Sequence, residues 1–172
     1  MTSPNKYEIY TDRLILRQFK EEDYETYYNI LNQEQVSVWL GDRKRKTKQD
    51  IINILENYER SWNKNNFGVF AVIEKESQQL IGHCGIRILG RSLDIELLYA
   101  FDPSFWGKGY ATESANAVAK WAREELKLNG LVAIVYSDNE KSCNVLEKVG
   151  FRYKGIQNYF GSKLSLYEIY FD

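Results

Sequence analysis

Residues 105–121 read FWGKGYATESANAVAKW: Gly107 and Gly109 bracket Lys108 and lead straight into an alanine-rich stretch. Glycines ahead of a helix let several backbone N–H groups turn toward one point, where the helix dipole also favours an anion. That chemistry suits a phosphate or pyrophosphate. The stretch is not a Walker A loop, because Gly109 rather than Ser or Thr follows Lys108 and the earlier glycine is missing. Nor is it a Rossmann fingerprint, since Thr112 stands at the third glycine position and no strand-ending acid follows about 20 residues later. These residues alone fit both a plain strand-to-helix turn and a pyrophosphate cradle.

The other reactive side chains are few. Cys84 and Cys143 are the two cysteines and His83 is the one histidine, which makes no four-ligand zinc pattern; no metal site and no disulfide is expected. A nucleophilic Cys143 needs a base beside it, so a packed thiol is the expectation, and His83 in LIGHCGI reads as a strand residue. Trp39, Phe101 and Tyr159 either wall a pocket or fill a core.

The elements that must position these groups follow from length and pattern. A chain of 172 residues, 44% hydrophobic and 27% charged, suits one folded domain spanning residues 1–172. The net charge of -1 gives no general attraction for nucleic acid or an anionic membrane, so neither is an expected partner. The N-terminus lacks a basic, then apolar leader, and no run approaches the roughly 20 apolar residues of a membrane span. A cytoplasmic protein is expected.

Residues 8–19 alternate as a first strand. Tyr24, Tyr27, Tyr28 and Leu31, then Ile51, Ile54, Leu55, Tyr58 and Trp62, recur at helical spacing and predict two helices. FGVFAVIEK, QQLIGHCGIRIL and SLDIELLYAF predict an antiparallel meander, with turns at Ser77-Gln78 and Gly90-Arg91-Ser92. Ala111, Ala115, Val118, Ala119, Ala122 and Leu126 share one helical face, and Gly130 is expected to end that helix. LVAIVY predicts a buried strand, and Ser137 with Glu140 predicts a capping box for a helix stopped by Gly150. The tail adds two strands turned near Gly161-Ser162. The sum is a mixed α/β order of seven strands and four helices, with a parallel, right-handed crossover over residues 93–136.

That order, together with RLILRQF, IELLYAFDPSFWGKGYATES and NEKSCNVLEKVGF, resembles the GNAT superfamily of acyl-coenzyme A-dependent N-acetyltransferases over nearly the whole chain. Within it the chain is most similar to the Rim-type branch, the ribosomal-protein-alanine N-acetyltransferases and their small-molecule relatives. Ser104 departs from the superfamily signature [RQ]-x-x-G-x-[GA], where Arg or Gln stands. The resemblance implies an α/β (α+β) fold with a mainly antiparallel seven-stranded sheet, about four helices, and a splay between the fourth and fifth strands.

It also implies acetyl-CoA or coenzyme A as co-substrate. The backbone of Trp106, Gly107, Lys108, Gly109, Tyr110, Ala111 and Thr112 would hold the pyrophosphate, with Lys108 adding charge, and pantetheine would run along Leu98, Tyr99, Ala100 and Phe101. Glu96 matches the family's strand glutamate as general base, acting through water. Asn139 and Ser142 match its N-x-x-S, facing coenzyme A, with Ser142 the acid or hydrogen-bond donor for the leaving thiolate. Since Ser137 and Glu140 account for the cap, Asn139 and Ser142 are expected to be free for that work. The basic run RKRKTK, from Arg43 to Lys48, reads as a solvated loop or as a contact for an acidic substrate, ribosomal RNA or the coenzyme's 3′-phosphate.

The implied reaction is acetyl transfer to a primary amine, on a protein N-terminus or a small molecule, by direct attack. Another acyl donor, an O-linked acceptor or a non-catalytic acyl-CoA sensor would keep the same turn. A homodimer is compatible with the sequence.

Overall fold

Residues 8–19, expected as one strand, form two. Thr11 N–H donates to Leu14 O (3.0 Å) while the Thr11 hydroxyl accepts from Leu14 N–H (3.0 Å), closing a tight reversal. Strand β1 (Ile9–Tyr10) thereby folds back on β2 (Leu14–Arg17), with Ile9 opposite Leu16. The computed structural model describes residues 7–90 and 94–172, and the expected turn residues Arg91 and Ser92 lie outside them.

A 3-10 turn, Glu21–Asp23, follows, fixed by buried Asp23, whose carboxylate takes both terminal nitrogens of Arg17 (2.7 and 2.9 Å). Helix α1 (Tyr24–Leu31) buries Tyr27, Ile30 and Leu31. The four-residue α2 (Glu34–Ser37) was not foreseen, being too short to show a helical period. Thr47 and Asp50 make a reciprocal capping box at the start of α3 (Lys48–Asn65).

Then come β3 (Val69–Glu74), β4 (Leu80–Leu89) and β5 (Asp94–Phe101), the expected antiparallel meander. Helix α4 (Tyr110–Glu124) leads to β6 (Gly130–Val135), which is parallel to β5. Helix α5 (Glu140–Val149) ends at Gly150 as expected, and β7 (Arg152–Tyr159) and β8 (Ser162–Tyr170) close the chain.

Among the described residues, eight strands form one sheet in the order β1-β2-β3-β4-β5-β6-β8-β7, with five α-helices. The class is the mixed α/β one expected; the extra strand is β1 and the extra helix is α2. Gly130 does not end α4, which stops at Glu124. It opens β6, where a Cβ would lie 2.3 Å from Ile169 O, so the adjacent β8 backbone excludes a side chain.

The core lies on both faces of the sheet. Ala115, Val118, Ala119 and Ala122 of α4, with Leu146 of α5, pack on Leu97, Phe101 and Leu131 from one side. From the other, α1, α2 and α3 bring Tyr27, Ile30, Val36 and Ile51 onto Ala71, Ile73 and Ala100. Small residues on α4 let it lie close to the sheet. No helix among the described residues is long and apolar enough to cross a membrane.

Candidate active site

Asp102 accepts from Ser104 N–H (3.0 Å) and starts a 3-10 turn, Pro103–Phe105, at the end of β5. Gly107 (φ 77°) and Gly109 (φ 84°) are both left-handed, a conformation that other residues adopt at a cost. A Cβ at Gly107 would meet nothing within 4 Å, and at Gly109 only Arg13 at 3.5 Å. These glycines are therefore required by backbone conformation rather than by crowding.

The first return bond of α4 runs from Glu113 N–H to Gly109 O (3.0 Å). A helix start leaves the preceding amides without intrahelical acceptors, here Tyr110, Ala111 and Thr112. Trp106 N–H already donates to Pro103 O (3.1 Å), so the amide run available to an anion begins at Gly107. Lys108 extends its ammonium over the Phe105 ring (5.2 Å), and Lys141 of α5 does the same over Trp106 (5.0 Å).

Arg13, which the motif reading missed, braces this turn. It donates to Lys108 O (2.8 Å), pairs with Glu113 (2.9 Å) and lies 4.3 Å over the Tyr110 ring. Pairing neutralises the one carboxylate in the first turn of α4, which would otherwise repel an anion there. Tyr110 OH donates to buried Glu74, which also accepts from Ser77 (2.7 Å).

Beside the turn, the sheet opens. Strands β5 and β6 share one register pair, Glu96↔Val132. Asp102 N–H donates to Ile81 O (2.8 Å) just past β5, and bonded residues alternate along an antiparallel pair. Ala100, Leu98 and Glu96 thus turn their backbone groups to β4, while Leu97, Tyr99 and Phe101 turn theirs to the gap. Phe101 O accepts from the Trp106 indole (2.8 Å).

The expected site residues fall on two faces. Tyr99 OH lies 2.8 Å from Ser142 Oγ and donates to Ser142 O (3.0 Å) on the α4–α5 face. Asn139, not Ser137, caps α5: its side-chain oxygen accepts from Ser142 N–H (3.3 Å), whereas the Ser137 hydroxyl is bonded to that of Ser165 (2.7 Å). The capping box expected at Ser137 and Glu140 is absent because β8 lies close enough to take the serine. Asn139 is consequently a cap itself.

Glu96 points to the opposite face and is 2% exposed. Its carboxylate accepts from Arg87 Nε (2.5 Å), which is half-exposed and directly opposite in β4. Burial pushes this carboxyl above its ordinary range, and Arg87 partly opposes that. Close by, Tyr27 OH bonds His83 Nδ1 (2.9 Å) and Tyr58 OH (3.0 Å). Burial, with the Arg87 charge, lowers the His83 pKa to about 3, so the ring is neutral.

His83 is thus the strand residue expected. Cys84 is buried, its thiol pushed up to about 12, and Cys143 is half-buried; both are free. Phe101 packs under α4 and Tyr159 beside Leu89, Val132 and Leu166, so the two do not wall a common pocket. The description "acetyltransferase (GNAT) domain" belongs to the family model that matches residues 13–152. The chain belongs to the GNAT acetyltransferase family.

Among curated relatives, the uncharacterized N-acetyltransferase YoaA of Bacillus subtilis is 26% identical over 147 residues, covering 85% of this chain and 83% of that protein. The GNAT-family acetyltransferase from Bacillus anthracis superposes with a TM-score of 0.79 at 25% identity, covering 94% and 96% of the two chains. RimL, a ribosomal-protein α-N-acetyltransferase solved with coenzyme A, shares the fold at 14% identity with a TM-score of 0.80, over 95% and 98% of the two chains. This GNAT chain is accordingly an acetyltransferase. Arg87 was out of reach of the motif reading, since only strand register sets it opposite Glu96. Arg13 carried a faint signal, standing at the head of RLILRQF.

Proposed function

We propose that the chain, acting as one acyltransferase unit, moves acetyl from acetyl-CoA to a primary amine by direct attack. The observation that carries this reading is the fork between β5 and β6, with Glu96 at its closed end and the glycine turn beyond its open end. Amides of Gly107 to Thr112 hold the pyrophosphate at the start of α4. An extended chain laid in the gap meets the outward backbone of Tyr99 and Phe101, as an added strand would. One of those N–H groups supports negative charge on the thioester oxygen.

The amine enters from the face that carries Glu96. Glu96, through water, accepts a proton from the attacking amine, and Arg87 holds the carboxylate in place. The Ser142 hydroxyl, turning from Tyr99 OH, donates a hydrogen bond to the departing thiolate from the opposite face. The amide bond forms as the thioester C–S bond breaks, without a covalent enzyme intermediate. The RimL complex supports coenzyme A as the ligand, and a protein N-terminus or a small amine is the acceptor class. A cytoplasmic site of action fits these substrates.

A thiol-release screen over amino acids, polyamines, aminoglycosides and N-terminal peptides tests the reading. Release that depends on an amine, with acetyl-CoA raising the melting temperature, is expected. Binding without turnover for any amine would reduce the chain to an acyl-CoA sensor, and no thermal shift would remove the cofactor site.

A further inference from the structure

Within the basic run at residues 43–48, Arg43 is anchored, and its anchors stand at the open end of the fork. Parallel strands keep step, so counting on from Glu96↔Val132 sets Val135 level with Tyr99 and Tyr136 level with Ala100 across the gap. On the β5 bank, Gln33 at the start of α2 donates through its side chain to Asp102 (3.2 Å). On the β6 bank, Tyr136 OH donates to Gly41 O (2.5 Å). The Arg43 guanidinium lies 3.5 Å from the Tyr136 ring centroid and 3.4 Å from Asp138. Between these ties, Val36 and Leu40 pack on the cluster that contains Ala100.

We propose that residues 33–43 are a strap across the cofactor groove and that Arg43 is its latch, a positioning residue that retards escape of acetyl-CoA. The proposal rests on the cofactor site described above. Arg43 has φ 63°, a left-handed backbone that arginine adopts only when its surroundings hold it there. A turn bond from Arg43 N–H to Leu40 O (2.8 Å) holds the backbone, and the stack on Tyr136 with the pair to Asp138 holds the side chain. Lys46 is tied elsewhere, its backbone bonded both ways to the Asn32 side chain (2.6 and 2.9 Å), which pins the far end of the loop. The strap therefore hangs between fixed points, and Arg43 joins it by side-chain charge to Asp138, just past β6.

Stopped-flow release of acetyl-CoA tests the latch in the wild type, R43A, R43K and Y136F, with each melting temperature measured alongside. R43A is expected to speed release about fivefold and to raise Kd by the same factor, the scale of a lost cation–π contact with its ion pair. R43K should recover less than half of that, because an ammonium lacks the flat face that covers the ring. Y136F, which keeps the ring and loses the bond to Gly41, should speed release about twofold. Wild-type release and Kd in R43A overturn the strap, whether or not its melting temperature moves. A wild type that does not bind acetyl-CoA overturns the cofactor site, and the strap with it.

Discussion

On the α4–α5 face of the fork, Tyr99 bonds Ser142, Asn139 caps α5, and a glycine turn of consecutive residues starts α4, so the groups offered to a ligand are largely backbone amides. On the opposite face, Arg87 of β4 holds Glu96, and Tyr27, Tyr58 and His83 form a hydrogen-bonded chain of side chains from α1, α3 and β4. On the proposed reading, the first face would bind through conformation, which two glycines and a helix start can encode locally. The second would work through protonation states, which burial and charge set only after distant segments have met. Variants in the glycine turn should therefore change affinity for acetyl-CoA, and variants at Glu96 should change turnover.

Glu96→Gln is the largest expected effect. Removing the proposed base should lower kcat on the order of a hundredfold while Kd for acetyl-CoA stays within about twofold of wild type. The wild-type rate should fall as pH drops through the raised Glu96 pKa, and the variant should regain part of its loss at high pH, where more amine is neutral. Equal losses in kcat and affinity, or an unaltered pH profile, would erase the division between the faces.

Next is Gly109→Val, which forces a β-branched residue to φ 84°. Calorimetry should show Kd for acetyl-CoA about tenfold or more weaker. Unchanged affinity would return this turn to a plain bend.

His83 provides a stability test of the Glu96 face. Its pKa is about 3 folded and near 6.5 unfolded, so between those values the unfolded chain holds the extra proton. Stability is complete above about pH 6.5 and falls as pH drops toward 3, by at most about 1.4 kcal/mol per pH unit. Urea titrations at pH 7, 6 and 5 measure this slope, and His83→Gln should flatten it. An equal slope in the variant would place the titrating group elsewhere.

Ser142→Ala is the mildest. The α5 cap uses the Ser142 backbone N–H rather than its hydroxyl, so the helix should persist and kcat should fall about fivefold. A loss of stability with unchanged kcat would make the Tyr99–Ser142 bond a packing contact alone.

Legibility in the sequence follows the same division. The meander over β3 to β5 and the small-residue face of α4 were visible because side-chain period reports burial directly. The reversal at Thr11 was hidden, since a hydroxyl clasp leaves the alternation on either side intact. The cap of α5 was misplaced by two residues because Ser137 and Asn139 are both good caps. The nearness of Ser165 on β8, residues away in sequence, decided between them.

By itself the sequence determined the α/β class, the glycine turn and the chemistry available to an anion there, because these depend on φ preferences and on periods of two and 3.6 residues. Tertiary structure alone decided that Glu96 is buried against Arg87, that Arg13 braces the turn, and that Arg43 crosses to Tyr136. Strand register and packing bring those pairs together across 9, 95 and 93 positions of chain. Charge and proton affinity are properties of such meetings, not of any local stretch of residues.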